Sequence, residues 1–269
     1  MTQQTMTPLA QFPLEQRRQI KGVFTDIDDT LTDDGRLGAA AYGALERLKA
    51  AGLLVVPITG RPAGWCDLIA RQWPVDAVVG ENGAFYFWHD HQARKLKQRF
   101  LQSDTERAAG LQKLQALRAR ILREVPGAGV ASDQPYRLAD LAIDFCEDVA
   151  PLPREQVDRI VALFNQDGAT AKISSIHVNG WFGSYDKLGM TKLMMRELHG
   201  VDLDAERQHY VFAGDSPNDS PMFGFFPNAV GVANVVDFAD RMPSLPRFVT
   251  KARGGAGFVE LAEALLQAR

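Results

Sequence analysis

The stretch Lys21 to Thr32 (Lys-Gly-Val-Phe-Thr-Asp-Ile-Asp-Asp-Thr-Leu-Thr) constrains the fold most. A short apolar run, Val23 to Thr25, ends in Asp26, Asp28, Asp29 and Thr30, so a buried strand is expected to carry several carboxylates to one edge of a sheet. Carboxylates a few ångströms apart disfavour one another's ionisation and need a raised pKa or a cation between them. An Asp-rich turn after a strand is commonly a solvated loop. A helix-loop-helix calcium site wants Gly at its sixth position and Glu at its twelfth. Counted from Asp26, those places hold Leu31 and Leu37, and that reading fails.

Two further runs decide between loop and site. Leu53 to Ile58 ends in Thr59-Gly60-Arg61, and Tyr210 to Ala213 ends in Gly214-Asp215-Ser216-Pro217-Asn218-Asp219. In an open parallel sheet the carboxyl ends of the strands line one crevice, so polar residues directly after three strands can converge there. The intervening pattern supports such a sheet. A helix is expected over 38–51, with Ala41, Leu45 and Leu48 on one face and Gly52 as its stop. A second helix starts near Pro62, and Val75 to Val79 reads as a further buried strand. Strand alternating with helix is the grammar of a parallel sheet with right-handed crossovers.

After Gly83 the grammar changes. Ala84 to Trp88 reads as an aromatic strand turning at His89-Asp90-His91 into a hairpin. The two histidines lack a third ligand nearby, and a turn fits them better than a metal. A long helix through Leu111, Leu117 and Val125, a strand at 141–145, a helix at 154–165 and a single strand at 169–178 complete an α+β insert. The core resumes near Trp181, where Asp186 caps a helix opening at Lys187. The domains expected are a flexible tail over 1–19, an α/β core over 20–84 and 182–269, and an inserted α+β cap over 85–181.

Composition excludes several classes. The formal net charge of −3 over mixed charges gives no reason to expect nucleic acid or a membrane surface as partner. No apolar run approaches the roughly 20 residues of a spanning helix. Residues 1–19 lack the apolar centre of a signal peptide, and Cys66 and Cys146 are read as reduced thiols, so a cytoplasmic location is expected.

Taken together, Asp26-Ile27-Asp28-Asp29-Thr30-Leu31, then Thr59, a lysine, and Gly214-Asp215-x-x-Asn218-Asp219 resemble the ordered motifs of haloacid dehalogenase-like phosphohydrolases. Gly80-Glu81-Asn82-Gly83-Ala84 before an insert, and Val230-Gly231-Val232-Ala233-Asn234, resemble the Cof-type subclass IIB, which includes sugar phosphatases. The resemblance implies a Rossmann-like three-layer core and a Mg²⁺-dependent phosphomonoesterase acting on a small phosphate ester, a sugar phosphate by preference. It implies Asp26 as nucleophile and Asp28 as acid and base, with Thr59 and Lys187 (or Lys192) on the phosphate. The metal would be held by Asp26, Asp215 and the backbone carbonyl of Asp28, with Asn218 and Asp219 behind them. Substrate contacts are expected from Asn82, Gly83, His177 and Asn179. Asp29 stands where many relatives have Gly, and Arg61 reads equally as a phosphate contact and as a surface helix-start residue. The alternatives are a phosphomutase using the same aspartyl-phosphate and a non-catalytic module phosphorylated on aspartate.

Overall fold

The structure is a computed structural model describing residues 6–269. Six parallel strands form the central sheet in the order Thr7–Pro8, Phe248–Val249, Val230–Gly231, Tyr210–Gly214, Gly22–Thr25, Leu54–Pro57. Both faces are covered, which is why the strands are continuous apolar runs rather than alternating ones. Val23, Val55 and Val211 pack on one side with Leu45, Phe258 and Leu261. Phe24, Val56 and Phe212 pack on the other with Met194 and Met222. The sheet ladder runs one residue beyond Thr25: the Asp26 N–H donates to Ala213 O at 2.8 Å, fixing Asp26 at the strand's carboxyl end beside the turn that carries Asp215.

Residues 6–19 correct the expectation of a flexible tail; Met1 to Thr5 lie outside the described residues. Thr7–Pro8 is the edge strand, Leu9 and Phe12 are buried, and Phe12 stacks on Phe248 with ring centroids 4.5 Å apart. Arg17 of the short helix Leu14–Arg18 donates to Ala264 O at 2.8 Å. Two apolar anchors among polar neighbours are enough to hold the segment once Phe248 is in place.

The insert divides. The hairpin Phe85–Asp90 and Lys95–Phe100 pairs with Val78–Gly80, and Phe85 and Phe87 are buried in the core cluster, so this hairpin extends the core. The cap's own sheet is antiparallel, in the order Thr170–Ile173, His177–Trp181, Leu141–Asp144, Gly129–Val130. Its cluster joins Leu117 and Ile121 of helix Asp104–Glu124, Ile160 and Phe164 of helix Arg154–Gln166, and Ile143 and Val178 of the sheet. The single strand expected over 169–178 is two strands; the chain reverses between them, with Ser174 N donating to His177 O at 2.8 Å. Among the described residues no helix is long and apolar enough to cross a membrane.

Candidate active site

Asp186 accepts from Gly189 N at 2.6 Å and caps the helix Lys187–His199, which Gly200 ends in the left-handed conformation. That cap puts Lys187 in the first turn, with its side chain buried. Its Nζ donates to Asp26 Oδ1 at 2.9 Å and to Asp219 Oδ1 at 2.7 Å. Lys192, the other lysine considered, pairs with Asp204 instead. Asp215 Oδ1 accepts from Thr30 Oγ1 at 3.2 Å and its Oδ2 from Asn234 Nδ2 at 3.0 Å. Asp219 Oδ2 accepts from the backbone N–H groups of Asp215 and Ser216 at 3.0 and 3.3 Å, so both oxygens of Asp219 are held by the protein.

Asp26, Asp215 and Asp219 are all buried and each offers an oxygen within 4.8 Å of the others. Burial pushes Asp26 up to about 8; Lys187 pulls it down, and Asp219 and Asp28 push it further up. Asp215 rises well above the carboxylate range, first through burial and then through Asp219 and Asp26. Burial alone would lower Lys187, but the two carboxylates it touches raise it above its ordinary value. Ionised together, the three carboxylates against one ammonium would leave two negative charges uncompensated in a dry site. A hard divalent cation with oxygen ligands fits that deficit. Asp26 and Asp215, whose oxygens meet fewer backbone donors than those of Asp219, would hold it, and Asp219 orients Lys187.

Asp28 faces the other way. Arg61, 3% exposed, donates from Nε to Asp28 Oδ1 and Oδ2 at 2.8 and 3.0 Å, from Nη2 to Glu147 Oε1 at 2.7 Å and from Nη1 to Asp133 Oδ2 at 3.3 Å. The surface reading of Arg61 is thereby corrected: it bridges the core to two cap carboxylates. Thr59, also buried, accepts from Arg61 N at 3.0 Å, which aims the arginine. His177 Nε2 lies 2.9 Å from Glu147 Oε2. The hydrogen bond from His177, opposed by burial and reinforced by Arg61, lowers Glu147 to about 2. Asp133 and Glu147 were missed by the sequence reading. Glu147 had a signal, because it follows the strand Leu141–Asp144 as Asp28 follows the first strand. Asp144 then turns the chain by accepting from the N–H groups of Cys146, Glu147 and Asp148.

Two of the expected substrate contacts are engaged within the protein itself. Gly83 (φ 104°) lies so close to the capped helix that a Cβ there would be 2.0 Å from Asp186 O. Asn179 donates to Asp140 Oδ2 at 2.9 Å in the buried joint between core and cap, where Arg137 also binds Asp133, Asp140 and Gly60 O. Asn82, 2% exposed, accepts weakly from Asn218 at 3.4 Å, and its Nδ2 has no partner. His177 stands behind Glu147. The cavity between core and cap, about 370 Å³, is lined by Asp28, Asp29 and Arg61 from the core and by Cys146, Glu147 and Ser175 from the cap.

This arrangement of a parallel core, an antiparallel cap and an acid-rich crevice between them matches known proteins. The model of haloacid dehalogenase-like hydrolases matches residues 23–116. A Methanospirillum hungatei JF-1 protein named phosphoglycolate phosphatase is 29% identical over 251 residues, 90% of this chain and 95% of its own. A crystal structure of Thermoplasma acidophilum 0175 superposes with a TM-score of 0.69 at 19% identity, covering 93% of this chain and 99% of that one. The sucrose-phosphatase of Synechocystis sp. PCC6803, solved with sucrose and phosphate, gives 0.62 at 15% identity over 91% and 98%. Over residues 23–116 the chain is thus similar to haloacid dehalogenase-like hydrolases, and over nearly its whole length it shares the core-and-cap fold of solved structures that include a subclass IIB sugar phosphatase.

Proposed function

We propose that the protein is a Mg²⁺-dependent phosphomonoesterase that hydrolyses a small phosphorylated metabolite, a sugar phosphate by preference, through an aspartyl-phosphate on Asp26. The observation that carries this reading is the pairing of Asp26 with Lys187 inside the buried carboxylate cluster, with Asp28 two residues on. Bound between Asp26 and Asp215, the cation would supply charge neutralisation that lets an anionic carboxylate approach an anionic phosphate. Lys187, Thr59 and the unpartnered Nδ2 of Asn82 would hold the phosphoryl oxygens. Asp26 attacks phosphorus as the ester bond to the alcohol oxygen breaks, and Asp28 gives that oxygen a proton. Asp28 then takes a proton from the water that releases phosphate and restores the Asp26 carboxylate. A cavity of 370 Å³ lies at the small end of small-molecule sites, which run from about 300 to 1,000 Å³.

The test is turnover of p-nitrophenyl phosphate and a panel of phosphorylated sugars with Mg²⁺ and with EDTA. Phosphate release that needs the metal is expected. Formation of an isomeric sugar phosphate without free phosphate would replace the hydrolase reading by a mutase.

A further inference from the structure

We infer that the cavity over Asp28 is a charge filter that disfavours esters whose alcohol carries a carboxylate, with Glu147 of the cap as the residue that sets the discrimination. The inference rests on the phosphatase reading and refines it. It sets this chain apart from what the name of its Methanospirillum hungatei relative describes.

Four carboxylates face the cavity, those of Asp28, Asp29, Asp34 and Glu147, and Arg61 is the only lysine or arginine among its lining residues. The guanidinium of Arg61 is already in use: its edge meets Asp28, Glu147 and Asp133, and its face lies over the Trp65 ring at 4.3 Å. A substrate carboxylate would have to displace Asp28 or Glu147 from it. Arg137 gives no substitute, since its side chain is fully buried on Asp133 and Asp140. In the adjoining cavity Arg253 pairs with Asp237, among Asp29, Asp33 and Asp34. A glycolate-type leaving group would therefore meet like charge with no free cation. Hydroxyl groups meet acceptors: Glu147 is about a quarter exposed toward the cavity, and Asp28, Asp29 and Asp34 line it as well. Like charges placed together at a recognition surface discriminate by repulsion, without any new attractive contact.

The experiment uses the full chain with Mg²⁺ and follows p-nitrophenyl phosphate hydrolysis in the presence of two open-chain six-carbon competitors, glucitol 6-phosphate and 6-phosphogluconate. They differ by CH₂OH against COO⁻ at the far end. The glucitol ester is expected to compete about tenfold more tightly. Glu147→Gln should compress that ratio to about threefold or less, and added salt should compress it in the wild type. Asp34→Asn, in the exposed turn between the short paired strands Thr32–Asp33 and Arg36–Leu37, should give a smaller compression of the same sign. A purely structural role for Glu147 would weaken both competitors together and leave the ratio unmoved. Equal inhibition by the two esters in the wild type, tighter binding of the gluconate, no competition by either, or an unchanged ratio in both variants overturns the filter while the phosphatase reading stands. Absence of p-nitrophenyl phosphate hydrolysis overturns the phosphatase reading, and the filter with it.

Discussion

Arg61 and Asp28 form a two-point ion pair, Nε to Oδ1 at 2.8 Å and to Oδ2 at 3.0 Å, under a cap that adds Glu147 to the same guanidinium. The group expected to move protons is thus positioned by an arginine that also senses whether the cap is seated. Arg61→Ala leaves three carboxylates, those of Asp28, Asp133 and Glu147, without this partner, and removing one member of a buried charge set costs about 3–5 kcal/mol. Arg61→Lys keeps the charge and loses the fork. The lysine variant should stay folded by circular dichroism, with kcat for p-nitrophenyl phosphate down by about 10²-fold. Unchanged kcat would show that Asp28 needs no positioning.

Asp26→Asn removes the proposed nucleophile while keeping the shape, and it also removes one of the mutually repelling buried groups. Turnover should fall by about 10⁴-fold or more, with Tm of the metal-free protein no lower than that of the wild type. Retained turnover would move the nucleophile elsewhere.

The placement of the core residues was legible because each sits directly after an apolar run: Asp26 after Val23 to Thr25, Thr59 after Ile58, Asp215 after Gly214. Parallel pairing then does the gathering. The cap's contribution was not legible. Arg61 meets Asp133 and Glu147 across 72 and 86 positions, and nothing local in those acids distinguishes them from solvated ones. The hairpin at 85–100 was assigned to the cap because the pattern breaks at Gly83, yet Phe85 and Phe87 have their burial partners in the core. Gly83 was read from its motif and Asn179 from its place at the return hinge of the insert; the close backbone approach of the one and the buried hydrogen bond of the other are tertiary facts that no spacing encodes.

The metal-free cluster should hold a proton that Mg²⁺ expels. With Asp26 at about 8 and Asp215 raised by burial and its acidic neighbours, part of the cluster stays protonated at pH 7, the proton shared over the coupled carboxylates. A dication favours the ionised form, so binding releases that proton, and apparent affinity should rise from pH 6 toward about 8 and then level. Calorimetry in buffers of different ionisation enthalpy measures the release. Saturating Mg²⁺ at about 100 times Kd adds about 2.7 kcal/mol of stability, raising Tm by several degrees. Asp215→Asn should abolish both effects. Equal Tm gains in wild type and Asp215→Asn would place the ion elsewhere.

Glu147 gives the opposite sign. Its folded pKa of about 2 lies below the ordinary glutamate value of about 4.5, so the stability it contributes is present above about 4.5 and is lost as pH falls through 2. For a pair this exposed the contribution is about 1 kcal/mol. Urea titrations should find Glu147→Gln less stable than wild type by that amount at pH 7, with the gap closing between pH 4.5 and 2. A gap that persists at pH 2 would assign the loss to packing.

Gly83→Ala tests how Lys187 is placed. The added methyl would stand 2.0 Å from Asp186 O and 2.9 Å from Lys187 N, both backbone atoms, in a residue already at φ 104°. Neither atom can rotate away, so the helix start must shift, at a cost of about 3 kcal/mol or more. Lys187 moves with it and loses its alignment on Asp26 and Asp219. Expected are a lower Tm and a fall in kcat for p-nitrophenyl phosphate, because a displacement near 1 Å at a positioning group costs about 10²-fold. Asn82→Ala, one residue earlier at φ 54° and without the backbone clash, should lower Tm by less than Gly83→Ala while raising KM. If Gly83→Ala were as stable and as active as wild type, the helix that carries Lys187 would not be seated by this contact.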